Sequence, residues 1–286
     1  MSIKAAFIGL GAMGAPMAGH LHAKGLLVAV GNRTQARADT VAKELGVDAP
    51  DLAGIATAAD IIALCVSADA DVISVVQALA PSLKKGSVVI DHSTVAPATA
   101  KRAARILADV GADFLDAPVS GGVEGAKNGK LSVMVGGDAA VLERARPVLE
   151  AYGARITHMG AVGSGQATKA VNQVLVAGIA HAVTEGLALG EALGLEADRL
   201  IPTLAAGAAG NWFLDKRGAT MLRNEFSVGF KLALLHKDLG IVRGIAMEAG
   251  TDRTIIEQSL ADFGELMAQG YGDDDISALI RLKRGR

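Results

Sequence analysis

The sequence predicts an α/β chain: an N-terminal doubly wound domain on a parallel sheet, followed by an all-α domain joined to it through a long helix. Three observations carry this expectation. Short apolar runs alternate with helical stretches up to about Gly160. Those runs are continuous rather than alternating, as strands are when helices cover both faces of a parallel sheet. After Gly163-Ser164-Gly165 the alternation stops and only helical patterns follow. The expected boundaries are residues 1–162 for the first domain and 163–286 for the second.

In the first domain, Ala5 to Ile8, Leu26 to Val30, Ile61 to Val66, Val88 to Ile90 and Leu131 to Val135 read as strands. Ala15 to Lys24, Ala36 to Leu45, Val72 to Leu79 and Ala98 to Val110 read as helices, each crossover long enough for a right-handed βαβ connection. From Gln166 to about Leu193 there is no proline and no strand-like run, so one long helix is expected. Gly194, Pro202, Gly207, Gly210 and Gly250 punctuate the helices after it. At the end of the chain, Asp273, Asp274 and Asp275 precede a basic tip of Arg281, Lys283, Arg284 and Arg286. Acids before and bases after a short helix complement its dipole.

Composition narrows the function. With 51% hydrophobic and 20% charged residues and a formal net charge of −2, the 286-residue chain is neither disordered nor generally attractive to nucleic acid. Its one cysteine, Cys65, forms no internal disulfide and no Cys-rich zinc site, which fits a reducing, cytoplasmic compartment. Met1 to Ala18 begins with Lys4 and then runs apolar like a secretory signal, but Gly9, Gly11 and Gly14 would break the apolar helix that a signal needs. No run is expected to reach the ~18 apolar residues of a membrane helix. Ile61 to Val66 and Val174 to Ala180 read as a core strand and a core helix.

Gly9-Leu10-Gly11-Ala12-Met13-Gly14 follows the first strand and opens a helix. That context makes the hexapeptide a dinucleotide fingerprint and the domain a Rossmann domain. Gly9 permits the tight turn, Gly11 lets backbone approach a pyrophosphate, and Gly14 lets helix and strand pack closely. Helix-start amides then face the phosphates. The second strand ends at Gly31-Asn32-Arg33-Thr34. Asn32 stands where an NAD site places an acid, Arg33 offers a guanidinium to a 2′-phosphate, and Thr34 adds a hydroxyl. NADP(H) is therefore expected over NAD(H).

Three more segments stand out. Asp91-His92-Ser93-Thr94-Val95-Ala96-Pro97 follows a strand, placing hydroxyls at the carboxyl edge of the sheet where ligands bind. Asp116-Ala117-Pro118-Val119-Ser120-Gly121-Gly122 follows another, and its unobstructed amides can hold a carboxylate. Lys169 and Asn172 sit three apart at the start of the long helix and so share a face.

With these motifs in order, the chain resembles the β-hydroxyacid dehydrogenase family, which includes 3-hydroxyisobutyrate dehydrogenase and tartronate semialdehyde reductase. The resemblance spans essentially the whole chain: the glycine fingerprint, Ser93-Thr94, Asp116 to Gly122 with Gly125, the Lys169/Asn172 helix, and Phe230 with Lys237-Asp238-Leu239. It implies that Lys169 is the catalytic acid/base and that Ser120, Gly121 and Gly122 bind the substrate carboxylate. It also implies that Thr94, Phe230 and Lys237 lie at the cofactor. Gln173, His20 and Cys65-Val66-Ser67 depart from the family pattern without touching the proton-transfer group.

Hydride transfer leaves alkoxide character on the carbonyl oxygen, so reduction needs a proton donor within about 3 Å. A lysine serves when desolvation and neighbouring cations bring its pKa toward ~7–8; Lys237 is a candidate neighbour. Asn172 can donate to the same oxygen or fix the lysine rotamer. The alternatives are an imine reductase of the same fold, against which Lys169 argues, and a non-catalytic dinucleotide-binding protein. His92, His181 and His236 occur singly, so no metal is assigned; Glu185, four residues after His181, reads as a helix-face pair or a contact to a partner helix. Trp212 reads either as a lining of the substrate cleft or as an anchor in the helical core. A small carboxylate is the expected ligand. The apolar, alanine-rich helix beyond Val171 suggests a homodimer or homotetramer.

Overall fold

A computed structural model describes residues 3–284. Strands β1 (Ala5–Ile8), β2 (Leu27–Gly31), β3 (Ile61–Leu64), β4 (Val88–Asp91), β5 (Asp113–Asp116), β6 (Val119–Ser120), β7 (Leu131–Gly136) and β8 (Gly153–Gly160) form one sheet. Its order is β2-β1-β3-β4-β5-β7-β6, with β8 paired to β7. Helices α1 (Gly14–Ala23), α2 (Gln35–Leu45), α3 (Leu52–Ala58), α4 (Asp69–Leu79), α5 (Pro97–Ala108), α6 (Gly122–Lys127) and α7 (Ala139–Leu149) connect them. Then follow α8 (Ser164–Ala192), α9 (Ala197–Ala205), α10 (Trp212–Leu222), α11 (Leu232–Ala249), α12 (Thr254–Ala268) and α13 (Ile280–Lys283). The chain divides into two compact units, one ending at Lys169 and one starting at Ala170, so the division falls inside α8.

In the first unit, alternate residues of each strand feed opposite cores. Ala5 and Phe7 pack with Met17, Leu21, Val41 and Val133 on one face. Ala6 and Ile8 pack with Ile55, Val72, Leu79 and Leu107 on the other. This two-sided burial is why the strands read as unbroken apolar runs. The sheet is parallel only from β2 through β5. β7 runs antiparallel to both β5 and β6, and β8 is parallel to β7. The doubly wound domain is as expected, and its parallel run ends here because the turn after β6 and the short α6 bring the chain back from the end at which β5 finishes.

A buried polar cluster pins the first face. His92 Nδ1 donates to Ala117 O at 2.7 Å, and the Tyr152 hydroxyl donates to His92 Nε2 at 2.8 Å. Phe7 stacks on the same imidazole with centroids 6.3 Å apart. Burial lowers the His92 pKa to about 4, so the ring is neutral near pH 7 and serves as a spacer between β4 and the segment after β5.

The second unit is helical, around Phe213, Leu214, Met221, Leu232, Leu235, Phe263 and Leu266. His181 packs against α12, 3.7 Å from Asp262 and tilted over Phe263. Trp212 is no core anchor: it is 52% exposed, with the Arg217 guanidinium 5.3 Å from its ring. The terminal charges form ion pairs rather than only facing a helix dipole. Arg281 pairs with Asp274, Lys283 with Asp262 and Arg284 with Glu191, while Asp275 caps the turn at Ser277. Arg286 lies outside the described residues. By length and composition α8 could cross a membrane, contrary to the expectation that no segment would, because an 18-residue stretch of it has a mean hydropathy of 1.3. Its alanines, valines and leucines raise the average, although Lys169, Gln173 and Thr184 on it are buried. Val171 and Leu175 are exposed.

Tyr152→Phe leaves the His92 acceptor unsatisfied in the core. It should cost about 1–3 kcal/mol in urea unfolding with an unchanged m-value; wild-type stability would show that the cluster holds nothing.

Candidate active site

The glycine loop behaves as its motif demands. Gly9 has φ +93°, and a Cβ there would lie 2.2 Å from Cys65 O; one on Gly14 would lie 1.8 Å from Gly9 O. Gly11 differs, because a Cβ on it would meet nothing within 4 Å. Packing does not demand glycine at that position, and bare backbone there suits the close approach of a dinucleotide pyrophosphate. The residues present therefore fit the cofactor.

Asn32, at the end of β2, accepts from Leu10 N at 3.0 Å and donates to Thr34 O at 3.2 Å. Its carboxamide thus ties the glycine loop to the β2–α2 turn. Arg33 is 85% exposed and meets Asp71 at 3.3 Å. Arg37, which lies outside the Gly31-to-Thr34 motif, donates Nε to Leu10 O at 3.2 Å and brings a second guanidinium to the loop. The signal was present: Arg37 lies four residues after Arg33, at the start of a helix.

Two carboxylates at the carboxyl edge organise the remainder, and the sequence motifs that contain them give neither a task. Asp116 closes β5, and its carboxylate accepts from Gly163 N at 2.7 Å and Gln166 N at 2.9 Å. It thereby caps the start of α8. Burial raises its pKa, and these backbone donors oppose the rise. Gly165 leaves room for this: a Cβ there would stand 2.6 Å from Asp116 O. Gln166 turns inward, donating to Ser93 O at 2.7 Å and accepting from Val95 N at 3.1 Å. It holds both neighbours of Thr94, which is half-buried.

Asp91 lies opposite Asp116 in the β4–β5 register and is fully buried. One oxygen accepts from Ser93 N at 2.9 Å, while the other has no hydrogen-bond partner among the described residues. Burial, opposed by the Ser93 bond and reinforced by the neighbouring Asp116 and Asp69, pushes its pKa up to about 7.

Lys169, one turn into α8, is 7% exposed and donates from Nζ to Val119 O at 2.9 Å. Ser120 is next in the chain, and the turn continues through Gly121 and Gly122, both at positive φ. The structure thus assembles in one unit the glycine loop, Asn32, Arg33, Thr34, Thr94, Ser120 to Gly122 and Lys169. Asn172, Phe230 and Lys237 belong to the second. There Asn172 Nδ2 donates to Gln173 Oε1 at 2.8 Å, Gln173 Nε2 donates to Asp238 at 2.6 Å, and Lys237 Nζ lies 2.9 Å from Asp238. The departure at Gln173 is therefore a buried link in this relay. His20, another departure, reaches Ala126 O at 3.0 Å and ties α1 to α6. Among the described residues, no group of three or more His, Cys, Asp or Glu could hold a metal ion.

A glycine loop between strand and helix, with a buried lysine beside a small-residue turn, defines a dinucleotide-dependent oxidoreductase architecture. Residues 4–160 match the family model described as the NAD binding domain of 6-phosphogluconate dehydrogenase. Residues 163–283 match that of the NAD-binding region of NADP-dependent 3-hydroxyisobutyrate dehydrogenase. The chain is 36% identical over 284 residues to the 2-hydroxy-3-oxopropionate reductase of Escherichia coli, covering 98% of this chain and 96% of that one. It is 35% identical to the NAD-dependent L-serine dehydrogenase of Pseudomonas aeruginosa, covering 97% and 96%. A solved Mycobacterium tuberculosis 3-hydroxyisobutyrate dehydrogenase with L-serine superposes at a TM-score of 0.90, with 31% identity and both chains fully covered. The chain belongs to the β-hydroxyacid dehydrogenase family.

Two measurements check this site. Gly11→Ala should leave stability within about 0.5 kcal/mol while weakening dinucleotide binding, whereas Gly14→Ala should destabilise the fold itself; equal stability loss in both would remove Gly11 from the cofactor cradle. The Asp91 carboxyl loses its proton near 4 when unfolded and near 7 when folded, so the native state holds the extra proton in between. Its contribution to stability is therefore full at acid pH and is lost as pH rises through about 7. Asp91→Asn should remove this loss, gaining on the order of 2 kcal/mol relative to wild type between pH 5 and pH 8 in urea titrations. A gap that does not change with pH would contradict it.

Proposed function

We propose that the protein interconverts a short 3-hydroxy acid and its semialdehyde or ketone with NADP(H), using Lys169 as the acid/base. The observation that carries this reading is the Lys169 amine, withdrawn from solvent and donating to Val119 O directly before the Ser120-Gly121-Gly122 turn. A bound nicotinamide dinucleotide supplies or accepts the hydride. Main-chain amides of the turn and the Ser120 hydroxyl hold the substrate carboxylate. In reduction, Lys169 gives a proton to the oxygen that gains alkoxide character; in oxidation, the neutral amine takes the hydroxyl proton. Asn172 lies one turn further along α8. Asn32, Arg33, Thr34 and Arg37 favour the 2′-phosphate, because Asn32 brings no repelling charge and the guanidinium groups bring attraction.

Relatives named for 2-hydroxy-3-oxopropionate and for L-serine support a small, polar hydroxy acid or its aldehyde as substrate. The retained lysine favours this reading over imine reduction. Lys169→Ala should lower kcat at least ~10²-fold and leave NADPH binding nearly intact. Steady-state rates on a panel of 3-hydroxy acids and semialdehydes, together with NADPH titration, check this; full turnover by the variant would refute the assignment.

A further inference from the structure

We propose that Asp71 is a specificity-determining residue that limits the preference for NADP(H) by competing for Arg33. The proposal rests on the NADP(H) reading above and goes beyond it by naming an acid that works against that preference. Arg33 in the turn after β2 and Asp71 in the first turn of α4 are brought together by β1, β2 and β3, which lie side by side in the sheet. Arg33 Nη1 meets Asp71 Oδ1 at 3.3 Å, one oxygen only, from a side chain that is almost wholly in solvent.

An exposed, single-contact pair of this kind is weak and adds little order to the arginine. Its effect on a ligand is larger. A 2′-phosphate that meets the Arg33 guanidinium displaces the Asp71 carboxylate or shares the cation with it, and either way its own negative charge sits near that acid. NAD(H) has no such phosphate and meets no such competition. Arg37 is oriented differently: its Nε is engaged by Leu10 O, a neutral carbonyl, so it can keep that bond while its terminal nitrogens meet an anion. The chain therefore sets two guanidinium groups for the phosphate and one carboxylate against it.

Asp71 also has a bland role, since an acid in the first turn of a helix favours the dipole. Asparagine is tolerated near a helix start, so Asp71→Asn isolates the charge. The test is fluorescence titration of full-length wild type, Asp71→Asn and Arg33→Ala with NADPH and with NADH at one ionic strength. Asp71→Asn should tighten NADPH roughly two- to fivefold and leave NADH unchanged. Arg33→Ala should weaken NADPH about tenfold or more relative to NADH. If Arg33→Ala acts this way but Asp71→Asn leaves the NADPH-to-NADH ratio unchanged or lowers it, the competition is overturned and the NADP(H) reading stands. If Arg33→Ala leaves the ratio unchanged, both fall. Should Asp71→Asn fail to fold, Asp71→Ser carries the same charge removal to the same comparison.

Discussion

The buried Asp116 carboxylate decides where α8 begins, and through α8 it decides where the Lys169 amine lies. Two backbone donors from Gly163 and Gln166 converge on one side chain at the end of β5. The same helix start sends Gln166 back to Ser93 and Val95, so the loop that carries Thr94 is held by the element that carries the lysine. A carboxylate removed from water this completely is costly, and its raised pKa records that cost. The fold accepts it because the first amides of a long helix have no intrahelical partner and need an acceptor.

His92 performs a parallel task without chemistry of its own. Hydrogen-bonded at both ring nitrogens and held neutral by burial, it fixes Ala117, two residues before the carbonyl that receives Lys169. Residues that look reactive in sequence thus divide by environment. The histidine is structural, the aspartates position backbone, and the lysine is the group placed beside the turn.

Much of this was legible in the residues. The glycine fingerprint, the continuous strands and the long helix follow from backbone sterics and two-sided burial, which leave strong local signals. The antiparallel return of β7 was not legible, because strand direction depends on where the chain folds back around Gly121 and Gly122. α3, α6 and β8 are illegible for a related reason: short or half-exposed segments carry little hydrophobic periodicity. α7 differs, since Val141, Leu142, Ala145, Val148 and Leu149 repeat at helical spacing and Pro147 inside the helix masks the pattern. The tasks of Asp116, Gln166 and Gln173 were hidden because each contacts residues far away in sequence, 50, 73 and 65 positions apart in the longest case for each. Arg37 and Asp71 lay outside the motif that drew attention to Arg33.

In the proposed reaction, a lysine on a carboxylate-capped helix exchanges the proton that accompanies hydride transfer. The most direct measurement is a crystal structure of the protein with NADPH and a bound short 3-hydroxy acid. Lys169 Nζ is expected within about 3 Å of the substrate hydroxyl oxygen, with the carboxylate on the amides of Ser120 to Gly122. A substrate bound with its hydroxyl oxygen out of reach of that nitrogen, and another side chain in contact with it, would contradict the account.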